Sequence, residues 1–250
     1  MKKKIITNDL HKWLIVVAVI LVFSSAWLPA AELLPIKLNP PNLKRGLPLM
    51  EALAVRASAR EYSEKDLSLQ DLSDLLWAAD GMSRPAENKS TAPSAMNSHD
   101  IRIYVFMKAG AYLYDSPKHE LLPVLAGDYR SQLMMARPPK SSAPPAGATP
   151  SAAGAAAATP PPPPPPPSNP PVQLILVSDS ERFIRGTPET KSEWGALDAG
   201  IVSQNISLFC AATGLKTRPR AMMDKVRIKE LLKLADTQTI FLNHPVGYAK

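Results

Sequence analysis

The sequence predicts an α+β domain. Helical stretches with a 3.6-residue apolar period are mixed with a few non-repeating strands, and no internal repeat is present. The 250 residues are 45% hydrophobic and 20% charged, which describes a globular chain with a real core. Two stretches stand outside that domain by composition, one at the N-terminus and one rich in alanine and proline.

Residues 1–31 read as a secretion segment. Lys2, Lys3, Lys4 and Lys12 supply a positive start, Trp13 to Trp27 is almost wholly apolar, and Leu28-Pro29-Ala30-Ala31 offers small residues for cleavage. The apolar run is short for a membrane span. Left uncleaved, it would anchor the chain to the membrane. No cysteine follows it, which argues against a lipoprotein anchor, and no Arg-Arg pair precedes it. The expected location is periplasmic or secreted, with the domain at 32–250.

Pro35, Pro40, Pro41 and Pro48 predict an extended lead-in, followed by a helix over Leu49 to Ala57. Ser68-Leu69-Gln70-Asp71 resembles a capping box and opens a helix through Leu72, Leu75, Leu76 and Ala79. Gly81 is placed as its C′ residue. Ile101 to Met107 alternates as a strand and turns through Lys108-Ala109-Gly110 into Ala111 to Tyr114, a hairpin. Asp128-Tyr129-Arg130 reads either as a surface turn or as part of a substrate pocket.

Residues 138–171 read as a disordered surface insertion. Residues 151–159 are mostly alanine, and Pro160 to Pro167 is an unbroken proline run. Such a run favours polyproline II at about 3.1 Å per residue and packs no core. A passive spacer and a site for a proline-recognising partner are both open. Beyond it, Val172 to Val177 predicts a strand. Leu197 to Thr213 predicts a helix with Leu197, Ile201, Leu208, Phe209 and Ala212 on one face and Gly214 closing it. Val226 to Leu234 predicts a shorter helix, and Thr239 to Leu242 a last short strand.

The net charge of +7 lies partly in the N-terminal segment, and the body has no Lys/Arg block interleaved with aromatics, so nucleic acid is not an expected partner. A small anionic ligand fits the mild basic excess. The single cysteine, Cys210, reads as a small buried hydrophobe. His99, His119 and His244 lack metal-ligand spacing, so no metal is assigned.

Three short motifs remain. Arg56-Ala57-Ser58-Ala59-Arg60 sets two guanidiniums around a hydroxyl, which suits a phosphate-bearing ligand; a solvated basic helix end is the alternative. Pro93-Ser94-x-x-Asn97 places a hydroxyl and an amide on a tight turn, or is an ordinary turn. Gln204 and Asn205 interrupt an apolar helix and need partners, for which a helix–helix contact at a subunit interface is one source.

Taken in order, these motifs resemble the nitroreductase family, in particular the branch with the thiazoline and oxazoline dehydrogenase domains. Arg56, Ser58 and Arg60 match its Arg-x-Ser-x-Arg/Lys motif. Pro93, Ser94 and Asn97 match Pro-Ser-x-x-Asn; Ala211, Ala212, Gly214 and Leu215 match the end of its central helix; and Pro245 to Tyr248 matches its late Pro-Val-Gly-Tyr strand. The resemblance spans about Leu49 to Tyr248, apart from the insertion.

The resemblance implies a central, mostly antiparallel sheet flanked by helices, in a homodimer that binds FMN at the interface and acts on a small-molecule substrate. It implies two-electron, hydride transfer through flavin N5, with no separate catalytic side chain. Arg56 and Ser58 would hold the phosphate and ribityl chain, and Arg60 would lie near N1 and the C2 carbonyl. Pro93, Ser94 and Asn97 would approach from the other subunit. Ala221 would present its backbone amide to N5, where many members carry an acidic residue. Many members also continue into a basic tail, for which Arg218, Arg220 and Lys250 are the candidate substitutes. A non-catalytic binding or interaction protein on the same fold is the second reading.

Overall fold

The computed structural model describes residues 32–134 and 169–250. The expected secretion segment and the Ala/Pro-rich tract through Ser168 lie outside the described residues. From Leu33 onward the chain forms one unit. Its elements are β1 (Ile36–Lys37), α1 (Leu49–Val55), α2 (Leu69–Asp80), β2 (Met82–Arg84), β3 (Lys89–Ser90), β4 (Ile101–Phe106), β5 (Gly110–Asp115), β6 (Glu120–Ala126), β7 (Val172–Asp179), α3 (Pro188–Thr213), β8 (Lys216–Thr217), α4 (Lys225–Leu232) and β9 (Gln238–Gly247).

Seven strands form one sheet in the order β1-β6-β5-β4-β7-β9-β8, and β2 and β3 form a separate hairpin. Every pairing in the large sheet is antiparallel, as the sequence led us to expect. Strand alternation then sorts the core into two layers. Ile101, Ile103 and Val105 of β4, with Leu174 and Leu176 of β7, join Leu75, Leu76 and Ala79 of α2 and Ala199, Val202 and Ile206 of α3. Tyr104 and Phe106, with Ile175 and Val177, join Ile228 and Leu232 of α4 on the other face. Burying each such side chain stabilises the fold by about 1.5–3 kcal/mol, so β4 and β7 are the most heavily stabilised strands.

Half of the capping box forms: the Ser68 hydroxyl accepts from Asp71 N at 3.0 Å and donates to the Asp71 carboxylate at 2.6 Å, but Ser68 N donates to Tyr248 Oη at 3.1 Å in place of Asp71. Gly81 does not take the expected left-handed conformation. Its φ is −76°, because the chain runs straight into β2. A glycine is needed there for space: a Cβ would lie 2.4 Å from the Trp77 ring.

The central helix starts earlier than expected, at Pro188, because the Thr187 hydroxyl accepts from Thr190 N and caps it. Its apolar periodicity misled on the face. The buried stripe runs through Gly195, Ala199, Val202, Ile206 and Cys210, while Leu197 is 61% and Ile201 36% exposed. A helix this apolar all round carries two candidate stripes, and the smaller residues win the sheet. Gly195 sits where a Cβ would meet Ser178 Oγ at 2.3 Å.

The last strand is also longer than expected, ten residues instead of four, and it includes Pro245. Asn243 exchanges both backbone bonds with Arg220. Pro245, two residues on, turns its nitrogen to the same edge, between the Thr217 and Arg220 contacts, where no ladder bond is drawn.

The insertion is narrower than its composition suggested. Pro170 and Pro171, counted in it from sequence, are buried. Arg130 donates from Nη1 to both of their carbonyl oxygens and pairs through Nη2 with Asp128 at 2.6 Å. Gln173 Nε2 donates to the Arg130 carbonyl at 2.7 Å. Asp128-Tyr129-Arg130 is therefore neither a free surface turn nor part of the main cavity: its arginine is buried and ties down the base of the insertion.

Candidate functional site

The site is built where α1 stops. Arg56 leaves helical geometry (φ −58°, ψ 121°), and the chain continues extended along β8 and the end of β9. Ala59 N donates to Thr217 O at 3.0 Å, Tyr62 Oη to Ala59 O at 3.1 Å, and Ser63 N to Tyr248 O at 3.0 Å. Gly214, in the left-handed region at φ +78°, ends α3 and turns the chain back into β8. Between the 55–61 loop, the end of α3, β8 and the last two residues lies a cavity of about 560 Å³.

Ser58, Arg60, Lys216, Thr217 and Lys250 line this cavity, with Cys210 on its floor. Among the described residues Glu61 is the one acidic side chain in its walls, against the cationic side chains of Arg60, Lys216 and Lys250, which makes it basic. Arg56 is exposed and stands outside the walls; Ser58 and Arg60 are within them. Cys210 is buried, and burial pushes its thiol well above the ordinary range. It is inert packing here, as its apolar surroundings led us to expect.

Pro93, Ser94 and Asn97 are not in this cavity of the same chain. Their loop is fastened elsewhere. Ser94 Oγ accepts from His99 N at 3.0 Å, Ala95 N donates to Asp198 Oδ2 at 2.8 Å, and Asn97 Oδ1 accepts from Lys89 Nζ at 2.9 Å. Met96, Asn97 and His99 all have positive φ, near +50°. Such strain in non-glycine residues persists only where the surroundings enforce it, and it gathers at functional loops.

Beneath the loop lies a feature that motif reading missed. Asp80, Asp100 and Asp198 are all buried. Ser178 and Ser98 donate to the Asp100 carboxylate at 2.5 and 3.0 Å. Burial, with Asp100 and Asp198 nearby, pushes Asp80 up to about 7. Burial and Asp100 push Asp198 up to about 7. The available signal was an acid inside an apolar helical pattern, Asp198 between Leu197 and Ala199.

Arg220 is held by β9 and β7: Nη2 donates to Asn243 Oδ1 at 2.7 Å and to Gln173 Oε1 at 3.0 Å. Burial, reinforced by Arg218, lowers its pKa. The Nε atoms of Arg218 and Arg220 are buried donors with no partner among the described residues. Ala221, the next residue, is exposed. Asn205 donates to Ala79 O at 3.3 Å, so it has a partner on α2 of the same chain; Gln204 is exposed.

His244 is buried between α3 and β8, with Nε2 2.8 Å from Ser203 Oγ and Nδ1 3.2 Å from Thr217 Oγ1. Burial, aided by Arg220, lowers its pKa to about 3, so it is neutral.

The fold has counterparts among known proteins. A candidate nitroreductase from Ralstonia eutropha superposes with a TM-score of 0.69 at 27% identity, over 89% of this chain and 97% of that one. A chain of the E. coli microcin synthetase McbBCD complex, solved with truncated pro-MccB17 bound, shares the fold at a TM-score of 0.60 and 16% identity, over 93% of this chain and 82% of that one. A candidate nitroreductase of Methanocaldococcus jannaschii is 25% identical over 205 residues, 80% of this chain and 90% of that protein. The model of the nitroreductase family matches residues 53–248, from within α1 to just past the end of β9, and the chain belongs to that family.

Proposed function

We propose that this protein is an exported, FMN-dependent oxidoreductase acting as a homodimer on a small-molecule substrate. One observation carries the reading: the motif loop with Ser58 and Arg60 folds onto a basic cavity of about 560 Å³, within the usual size for a cofactor site. Arg60, Lys216 and Lys250 suit a phosphate-bearing ligand, and the unpartnered Nε donors of Arg218 and Arg220 lie just beyond the cavity wall in sequence. FMN, when bound, supplies two-electron hydride transfer at N5, and the protein supplies binding, orientation and charge. Ser58, Arg60, Lys216 and Lys250 would hold it, and the 218–221 segment would lie toward its ring.

Two features support the dimer. Leu197 and Ile201 on α3, with Leu49, Met50 and Leu53 on α1, present an exposed apolar surface. The Pro93–Asn97 loop stands apart from the cavity of its own chain, so it reaches a flavin only from a partner. Export rests on the N-terminal pattern, and the thiazoline/oxazoline branch on the motif order together with the fold shared with the microcin synthetase chain.

The test is the colour of the purified protein. The reading expects a yellow protein with oxidised-flavin absorbance that releases FMN on denaturation. A colourless protein that takes up no FMN on titration would overturn it in favour of a non-catalytic binding protein.

A further inference from the structure

Among the side chains lining the basic cavity, Thr217 is connected inward. Its hydroxyl is bonded to His244 Nδ1, and His244 Nε2 to Ser203 Oγ, forming one buried row from the cavity wall to α3. The order of protons along that row follows from counting donors and acceptors. The hydroxyl of Ser203 is bonded, among the described residues, to His244 alone. A buried hydroxyl donates its proton, so Ser203 donates to Nε2. A neutral imidazole has one N–H, and with Nε2 accepting, that N–H is on Nδ1. It therefore donates to Thr217 Oγ1. The threonine oxygen accepts one bond from below, and its own O–H has no acceptor among the described residues. The opposite tautomer would leave the Ser203 proton without an acceptor inside the core, whereas this one leaves the proton of Thr217, a side chain just as buried, to the cavity that Thr217 lines and Ser203 does not.

We propose that Thr217 is a ligand-binding residue whose hydroxyl donates into the basic cavity, and that His244 and Ser203 are positioning residues that fix it as a donor. The adjacent Ser207 cannot take this role, because its hydroxyl already donates to Ser203 O at 2.8 Å. Thr217 is itself held in place: its carbonyl accepts from Ala59 N, inside the Arg56–Arg60 motif. The ligand this implies carries oxygen acceptors and negative charge, as Arg60, Lys216 and Lys250 around it also require. In the FMN reading, on which this assignment of the ligand rests, the acceptor is a phosphate or carbonyl oxygen of the flavin.

The experiment is ¹⁵N NMR of the histidine rings in the full chain, followed by titration of wild type, Thr217→Val, Thr217→Ser and Ser203→Ala with FMN and with inorganic phosphate. The expected results are an Nδ1–H tautomer for His244, FMN binding weakened about five- to tenfold in Thr217→Val, and recovery to within about twofold in Thr217→Ser. Ser203→Ala should lose the single tautomer and bind less tightly than wild type. An Nε2–H tautomer in wild type overturns the proposal, and that measurement needs no variant to fold. So does unchanged binding in Thr217→Val. Phosphate binding that Thr217→Val weakens, with no FMN uptake by wild type, supports the donor and overturns the flavin reading. Binding of neither ligand by wild type overturns both.

Discussion

Arg130 joins segments forty residues apart: its Nη1 lies 3.1 Å from the carbonyl oxygens of both Pro170 and Pro171. Nε and Nη2 hold Asp128, so one guanidinium closes the base of the insertion. Arg130→Ala should lower stability by about 1.5–3 kcal/mol, the range for hydrogen bonds to a charged group. Arg130→Lys should fall between, because an ammonium cannot make the same planar fork. Urea unfolding measures this; an unchanged midpoint in Arg130→Ala would show that the clamp adds nothing.

The tract between those anchors has a composition that buries no core. Replacing residues 138–168 with a short Gly/Ser linker, while keeping Pro170 and Pro171, should leave the Tm within about 3 °C, because closure entropy changes slowly with loop length. Extending the replacement through Pro171 should lower the Tm well beyond that, since it removes two buried prolines and both Arg130 acceptors. Equal Tm values for the two replacements would contradict the narrower boundary.

Asp80 gives a pH signature. Burial, with the carboxyls of Asp100 and Asp198 nearby, raises it from 3.8 to about 7, against the opposing effects of Ser90 and Arg182. A carboxyl raised in the folded state binds its proton more tightly there than in the unfolded chain. Its contribution therefore weakens stability as pH rises from about 4 to about 7, and levels off above that. Asp80→Asn removes the penalty. Its gain in Tm should be larger at pH 8 than at pH 5 by roughly 5 °C. The same gain at both pH values would show that Asp80 carries no strained charge.

The exposed stripe on α3 bears on assembly. Leu197 and Ile201 face away from the sheet, and α1 adds Leu49, Met50 and Leu53 to the exposed apolar surface. Leu197→Glu with Ile201→Glu should convert the proposed dimer to a monomer in sedimentation experiments. The intrachain core should be spared, because both side chains lie outside it. A wild-type monomer, or a doubly substituted dimer, would remove this surface from the assembly.

Much of the fold was legible because its signals are local. Ser68 caps α2, Gly214 ends α3, and alternation from Ile101 marks β4. What failed depended on contacts distant in sequence. Periodicity could not say which of two apolar stripes on α3 meets the sheet, since Gly195 is selected by Ser178 across the core. Local pattern marked only Thr239 to Leu242 as strand, because Pro245 is compatible with β9 only where the ladder edge opposite it is interrupted. At the site, Ser58 and Arg60 were readable from their motif, but Lys216, Thr217 and Lys250 reach the same cavity only through the turn at Gly214 and the end of β9. The acids under the Pro93–Asn97 loop come from α2, the start of β4 and α3, so no sequence window contains them.

The two arginines of the motif should separate. Arg60 lines the cavity, whereas Arg56 is exposed at the end of α1, outside its walls. Arg60→Ala should weaken FMN binding by about 10- to 150-fold, the effect of losing a charged hydrogen-bond partner worth about 1.5–3 kcal/mol. Reduction adds negative charge to a flavin, and a cation on the cavity wall favours the reduced form. The two-electron potential of Arg60→Ala should therefore become more negative by tens of millivolts, about 30 mV for each 1.4 kcal/mol. Both arginines are exposed, but Arg56 stands outside the cavity walls, so Arg56→Ala should change affinity by less than about threefold and leave the potential in place. Flavin titration and redox titration on each variant measure both effects. A large loss in Arg56→Ala would return the phosphate to that residue and require the 55–61 loop to close further over its ligand. Wild-type affinity and potential in Arg60→Ala would leave the Arg56–Arg60 motif as a solvated helix end and remove the main support for the flavin reading.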